Sequence, residues 1–598
     1  MRLAAVSLLF SLLPVSTAAG SLAVSHAYYR DTNASLHLLL LNRGKEPVTV
    51  LPPVVNGFDT ASLGRDELRD RDVLWYRCRP NPIPPGEIAD LTIILPAPTD
   101  ETATVELRTT SGEKVVRTIP CVPERLRFQA VRFSRNLRAI DVYVRWSDPS
   151  KATSLRKILL DGRNVGRQAS SWPARCLDGL AYTRINLPRP LERNSYHVVE
   201  VEAEDGLSTG CQIRAIPAEF LIGVYGSITP ANIEDWAAHG CNHYLSFGAV
   251  PAEFVDMMAD RGISVGAKYI PEPLVDRDSG RVLLFDEETA RAAIGQVADK
   301  PGLLYHHLVD EPDVADYYAG RWLGATGMEL AARDEFCESV DPGRYTFVQL
   351  DNTFRRANYR VYGEAADVLA THRYSLGSSI RSEAGGETVT RLPFLEDMLD
   401  TTVRFRNAVE PRPFFMVPQF FHLGKGRAGR APTIEEMRLQ CYAMIAGGAR
   451  GLIHYIHSGS QGGGEGSRAP TLWDAMAGLH EELKRVGQVV QSGTPAPEDS
   501  VTSDSPHVVA SAILCGDRMA VIFINRCHRS ALETFVAVPV RQVKVSVRIP
   551  PWIKASALEI VPAEGGAPVS GELKSGCLNF TVDEIKDARC FLLCPKRR

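Results

Sequence analysis

At 598 residues the chain is several times longer than one ordinary hydrophobic core requires, and about 150 residues per domain predicts three or four domains. A charged fraction of 23% with a formal net charge of -4 excludes a strongly basic nucleic-acid binder, and no Lys/Arg cluster interleaved with aromatics offers a surface for phosphates. After the first residues no stretch approaches eighteen uninterrupted apolar positions, so no integral membrane segment is expected in the mature protein.

Met1-Arg2-Leu3, an apolar run to about Leu13, Pro14 and the small residues Ser16-Thr17-Ala18-Ala19-Gly20 have the three-part layout of a secretory signal. Cleavage is expected near Ala19, with export to a periplasmic or extracellular location. Gly20 and Ser21 stand where a lipoprotein anchor would need cysteine. Export permits disulfides, and Cys78 with Cys121, Cys176 with Cys211, or Cys515 with Cys527 could staple β-domains, with the connectivity left open. Cys241, Cys337 and Cys441 lie in apolar or helical patterns and read as buried thiols. Only Cys590 and Cys594 lie close together, without the second pair a zinc site needs.

Residues 21–122 read as a β-sandwich, with short β-rich runs at 36–41, 48–51, 91–95 and 103–107 separated by turn clusters such as Asn42-Arg43-Gly44. A second sandwich, immunoglobulin- or fibronectin-like, is expected over 123–217, with alternating strands at 139–146 and 196–203. From 218 to 494 the pattern changes to short apolar strands alternating with amphipathic helices. Eight strands are predicted, at 221–225, 243–247, 264–270, 303–309, 345–350, 368–372, 414–418 and 452–456. Helical stretches are predicted at 233–239, 254–261, 289–298, 328–339, 394–407, 434–446 and 472–490. Eight βα units in this length predict a closed (β/α)8 TIM barrel with its active site at the carboxyl ends of the strands. An open doubly wound sheet is the alternative, but the first strand lacks a Gly-rich phosphate fingerprint. From 495 to 598 β-rich runs return, predicting a C-terminal β-sandwich. The expected fold is thus a central barrel flanked by β-sandwich domains, after a signal peptide at 1–20.

Taken strand by strand, the barrel would present Tyr225 from the first strand, and Lys268 and Tyr269 from the third, with Glu272 beyond. Asp310 and Glu311 end the fourth, Asp351 and Asn352 the fifth, His372 and Tyr374 the sixth. Gln419 and His422 follow the seventh, Tyr455 and His457 the eighth. A rim of tyrosines, histidines, amides and acids suits a hydroxylated ring, so a carbohydrate is the expected substrate. Glycoside hydrolysis needs a protonated carboxyl at the leaving oxygen, plus a second carboxylate or help from the substrate itself. In His307-Leu308-Val309-Asp310-Glu311-Pro312, Glu311 is the expected acid: Pro312 fixes the turn and Asp310 discourages ionisation. The seventh strand ends in Pro418-Gln419-Phe420-Phe421, and an amide cannot serve as nucleophile. Asp351 and Glu272 remain possible partners. Asp310 is the stronger one, because an adjacent Asp can orient a 2-acetamido group whose carbonyl oxygen attacks the anomeric carbon.

The Asp310-Glu311-Pro312 strand end, with Ala446-Gly447-Gly448-Ala449-Arg450-Gly451-Leu452-Ile453-His454-Tyr455 leading into strand eight, resembles barrel glycoside hydrolases. The Asp-Glu pair after strand four and the flanking β-domains look like the family 123 β-N-acetylgalactosaminidases. That resemblance implies substrate-assisted retention, with Glu311 as acid/base and Asp310 orienting the acetamido group. No cofactor is expected. A metal-dependent barrel would favour a His-x-His pair on strand one, which Gly223-Val224-Tyr225 lacks, and no Gly-x-Ser-x-Gly elbow follows the carboxyl end of a predicted barrel strand. Gly462-Gly463-Gly464-Glu465-Gly466 reads as a flexible loop over the pocket. A secreted, non-catalytic carbohydrate-binding protein with a degenerate barrel is the alternative reading, motivated by Gln419.

Overall fold

The computed structural model describes residues 20–62, 73–170, 174, 176–271, 274–275, 282–283, 285–313, 326–351, 358–376, 383–384, 387–388, 394–421, 430–457, 469–531 and 534–596. The expected signal segment, Glu272, Asn352, His422 and the 462–466 loop lie outside the described residues, apart from Gly20.

Eight parallel strands close on themselves: β1 Leu221–Val224, β2 His243–Leu245, β3 Ser264–Ala267, β4 Leu303–Asp310, β5 Tyr345–Asp351, β6 Val368–His372, β7 Phe414–Val417 and β8 Gly451–His454, with β8 pairing back to β1. Around them run α1 Pro230–Ala238, α2 Ala252–Ala259, α3 Glu287–Gly295, α4 Gly327–Val340, α5 Asn358–Tyr362, α6 Phe394–Val409, α7 Ile434–Gly447 and α8 Pro470–Val490. The TIM barrel expected from the sequence is therefore present. Its helices begin where local chemistry allows. Thr326 with Glu329 and Thr433 with Glu436 form reciprocal capping boxes at α4 and α7, and Thr229 caps α1 ahead of Pro230. Gly448, at φ +115°, ends α7 in the left-handed conformation that lets the chain turn into β8.

The barrel interior is filled rather than hollow. Leu221, Leu304, Tyr345, Val368 and Phe415 belong to its inner core, and Tyr305 and Phe347 stack above one another at 4.7 Å. Gly266 on β3 makes room for this packing: a Cβ there would lie 2.1 Å from the Tyr305 ring. The Tyr305 hydroxyl meets His243 Nε2 at 2.7 Å while Ser264 Oγ lies 3.0 Å from Nδ1, and burial pushes His243 down to about 3, so its imidazole is neutral. A packed interior confines chemistry to the strand ends.

Three two-sheet β units surround the barrel. In the first, strands Leu22–Arg30, Ser35–Asn42, Ile88–Ile94 and Trp75–Arg79 share a core with the sheet containing Thr102–Arg108 and Lys114–Pro120. In the second, the sheet of Leu126–Phe133, Ala139–Trp146 and Leu180–Asn186 faces that of Leu155–Leu160, Tyr196–Ala203 and Ser208–Arg214. The third pairs the sheet of Val508–Cys515, Arg518–Asn525 and Ala588–Pro595 with that of Val540–Arg548 and Cys577–Ile585.

These units are tied to the barrel by buried polar contacts. Trp75 lies against Gly327 at the start of α4 and donates its indole N–H to the Val361 carbonyl at 2.8 Å. Arg77 reaches Asp334 of α4 at 2.8 Å, and Arg79 contacts the same carboxylate. Arg79 and Arg214 grip Asp367, just before β6, at 3.0 and 2.7 Å. On the other side Arg438 of α7 binds Glu482 of α8 at 2.6 Å and Asp587 of the C-terminal sheet at 3.0 Å. None of the disulfides left open by the sequence is formed. All twelve cysteines are free, and the packing of these β units is apolar enough to hold Cys78 and Cys211 as buried neutral thiols. Among the described residues no helix is long and apolar enough to cross a membrane.

Candidate active site

The end of β4 departs from regular pairing. Its register against β5 shifts between His307 and Asp310, so Asp310 stands opposite Gln349. Such a bulge re-aims the residues that follow it. Glu311 comes next with a left-handed backbone, φ +46°, held by its N–H donating to the Gln349 carbonyl at 2.9 Å. A non-glycine residue pays sterically for this conformation, and here it turns the glutamate to the open end of the barrel.

The Glu311 side chain is 33% exposed, with His372 Nδ1 3.6 Å from its carboxylate. The other nitrogen of that ring, Nε2, lies 3.0 Å from Asp351, whose side chain is only 8% exposed. Asp351 is backed in turn by Asp313, which accepts its backbone N–H at 2.8 Å and a bond from the Asn358 amide at 3.3 Å. Burial raises the pKa of Glu311 above the ordinary carboxylate range; His372 pulls it back, and the negative charge of Asp351 pushes it up again. Asp313, wholly buried beside Asp351, is raised further, first by burial and then by that neighbour.

Asp310 is 20% exposed, and its carboxylate lies 3.9 Å from His307 Nε2. Burial and the nearby Lys268 ammonium press His307 down to about 3, so its ring is neutral. Lys268 thus lies close enough to His307 for its charge to act on that ring.

Opposite the acids stands a wall of rings. Tyr225 stacks on Phe247 at 4.7 Å and meets the edge of Tyr455 at 5.3 Å; Tyr455 stacks on Tyr374 at 5.9 Å, and Phe421 meets the Tyr374 edge at 4.9 Å. Tyr374 also stacks on His372, with centroids 4.3 Å apart. The Tyr225 hydroxyl donates to the Gln349 side chain. The 40% exposed Phe247 gives the wall an open face. Aromatic faces beside carboxylates match a ligand whose ring has C–H faces and hydroxyl edges.

Tyr225, Lys268, Asp310, Glu311, Asp351, His372, Tyr374 and Tyr455 therefore gather at one end of the barrel. Three other expected rim residues do different work. Tyr269 faces the helical layer, donating its hydroxyl to the Val250 carbonyl at 2.9 Å with its ring against His306. His457 is buried between the Trp236 indole N–H and Asp235, both at 3.1 Å. Gln419 is buried, and its side-chain oxygen accepts the Leu376 N–H at 3.2 Å, anchoring the segment after β6. Residues not anticipated are Phe247, Phe421, Gln349, His307 and Asp313. Gln349 and His307 follow from strand alternation once Phe347 and Tyr305 are known to face inward. Asp313 carried no such signal.

No protein-family model matches the chain, and no curated protein sequence matches it. Several solved structures are similar at low identity. A Paenibacillus sp. cycloisomaltooligosaccharide glucanotransferase, complexed with cycloisomaltoheptaose, is 10% identical with a TM-score of 0.43, over 78% of this chain and 99% of that one. A glycoside hydrolase family 5 protein from Bacteroides vulgatus is 14% identical with a TM-score of 0.41, over 66% and 91%. A GH30 endoxylanase from Clostridium papyrosolvens is 13% identical with a TM-score of 0.36, over 63% and 97%. What this chain does at its strand ends has to be read from its own residues.

Proposed function

We propose that the protein is a glycoside hydrolase acting on O-glycosyl bonds, with Glu311 as general acid/base. The observation that carries this reading is a single carboxyl, Glu311, one-third exposed and with its pKa raised, at the open end of a closed barrel and facing a wall of aromatic rings. A raised pKa keeps the proton on the acid until the leaving oxygen needs it.

The second half of the reading is substrate assistance on a 2-acetamido sugar, as in the family 123 β-N-acetylgalactosaminidases that the Asp310-Glu311 pair resembles. Glu311 gives its proton to the glycosidic oxygen as the bond to the anomeric carbon breaks, and the acetamido carbonyl oxygen forms the new bond to that carbon. Asp310 accepts the acetamido N–H and steadies the positive charge on the cyclic intermediate. Water then attacks the anomeric carbon, surrendering a proton to Glu311 as the bond from that carbon to the acetamido oxygen breaks and the acetamido group is restored, and the configuration is retained. Two observations support this over a protein nucleophile. Gln419 ends β7 with its side chain already bonded to Leu376, and Asp351 is more buried than Asp310 and bound to His372. Export, expected from residues 1–20, belongs to the same proposal, and amino-terminal sequencing of the secreted protein should begin near Gly20.

Chromogenic β-N-acetylhexosaminides set beside plain β-hexosides test the mechanism. Cleavage of the acetamido sugars alone is expected; cleavage of plain hexosides would move the second catalytic role from Asp310 to Asp351. Glu311→Gln is expected to abolish turnover while preserving glycan binding. A wild type that binds glycans and cleaves none would leave the carbohydrate-binding alternative standing.

A further inference from the structure

At the opposite, amino-terminal end of the barrel lies a small cavity of about 40 Å³ between the second β unit and the strand starts. Its walls are mostly apolar, including Phe133, Leu221, Leu304 and Phe415, yet two of its residues are buried arginines. Arg450, the residue leading into β8, is 1% exposed, and Arg132, from strand Leu126–Phe133, is 6% exposed. Arg450 donates to the Ala449 and Gly493 carbonyls, and Arg132 to those of Val131, Pro411 and Arg412. The Nε atom of each is buried without a hydrogen-bond partner among the described residues.

Charge is the larger imbalance. Among the neighbours of Arg450 the guanidinium of Arg132 acts most strongly; the buried Tyr143 hydroxyl and Cys515 thiol come next, both held neutral by burial, and a third cation, Arg406, adds to the repulsion. The carboxylate acting on Arg132 is Glu410, which already binds Arg406 Nε at 3.1 Å. Three guanidinium groups thus share one close carboxylate, and Glu498 reaches Arg406 together with the opposing Arg127 and Arg145. The other charged residues of the cavity are engaged elsewhere: Arg214 is held by Asp367, while Glu219 and Arg193 are exposed at the rim, where the charges of Arg135 and Arg193 act on the Glu219 carboxylate. Burial and mutual repulsion press Arg450 down to about 9, and burial presses Arg132 to about 10. Backbone carbonyls orient a guanidinium but do not neutralise it, and buried charge without a counter-charge is costly.

We propose that this cavity binds a small monovalent anion of chloride size between Arg132 and Arg450, joining the second β unit to the base of the barrel. A space of this size accepts one or two water-sized particles and excludes sulfate with its shell. The anion supplies the missing counter-charge and an acceptor for the two Nε–H groups, which water cannot do together.

Thermal unfolding of the full chain tests this, with chloride titrated against gluconate at constant ionic strength. Chloride and bromide are expected to raise Tm by roughly 2–4 °C at saturation, gluconate and sulfate not. In crystals soaked in bromide, an anomalous peak is expected between Arg132 and Arg450. Arg450→Met should remove the halide dependence. Equal Tm in chloride and gluconate, a cavity peak without anomalous signal (water only), or a halide effect that survives in Arg450→Met would each overturn the proposal. Should that variant not fold, the bromide experiment on the wild-type protein decides alone.

Discussion

Glu311 is aimed by its backbone. A left-handed non-glycine residue costs about 1–3 kcal/mol, and burying its carboxyl adds to that cost. Glu311→Asn tolerates the same backbone and cannot ionise, so its Tm is expected to rise while turnover vanishes; a fall in Tm would mean that the glutamate is there for stability. The raised pKa also fixes a sign. Glu311 is a competent acid below its folded pKa, so kcat/KM falls as pH rises through that value. His372 pulls this pKa down and Asp351 pushes it up. Replacing His372 with Gln should therefore shift the alkaline limb to higher pH, and Asp351→Asn should shift it lower. Limbs that move together, or not at all, would remove both residues from the acid's environment.

At the scale of elements, the barrel was largely legible in the chain. Its strands are brief apolar runs with both faces buried, and each of the eight was placed within a few residues of its observed span. Helix α5 left no trace because five residues are too few to display a period. The site was legible where strand ends dictate it, at Tyr225, Asp310, Glu311, His372 and Tyr455. It was not legible where direction depends on alternation or side-chain partners. Tyr269 was counted as rim, but one residue along a strand reverses the face, and Lys268 takes the inner side. His457 was misplaced because its partners, Trp236 and Asp235, belong to a helix more than 200 residues away in sequence. Gly266 carries the sharpest test at this scale. Gly266→Ala drives a Cβ into the Tyr305 ring and should cost about 3 kcal/mol or more in chemical denaturation. A cost near zero would show the barrel floor to be looser than its packing implies.

Across the whole molecule the decisive contacts were invisible in sequence, since Arg79, Arg214 and Asp334 come from three separate elements and Asp367 from just before a fourth. Asp367 also accepts the Thr346 N–H at 3.0 Å and the Tyr196 hydroxyl at 2.8 Å. Burial alone would raise its pKa, but Arg214 and Arg79 hold it well below the usual carboxylate range. A carboxylate depressed on folding stabilises above its unfolded pKa, and that contribution fades as pH falls through the folded value. Acid unfolding should thus set in below about pH 4 and be absent as a separate step in Asp367→Ala. That variant is expected to lose about 3–5 kcal/mol, by leaving the buried Arg214 without its carboxylate and Arg79 with Asp334 but without Asp367. Limited proteolysis should then release the amino-terminal β units; their continued protection would count against the clamp.

The contact of Trp75 and Arg79 with α4 bears on modularity. Among the described residues that helix is the next one after the strand that ends at Asp310, just before Glu311. Cut at the edge of the barrel, the chain would expose the groove that Trp75 fills and strand Asp334 without its arginines. The barrel is not a portable cassette: its smallest working unit includes the β structure that precedes it.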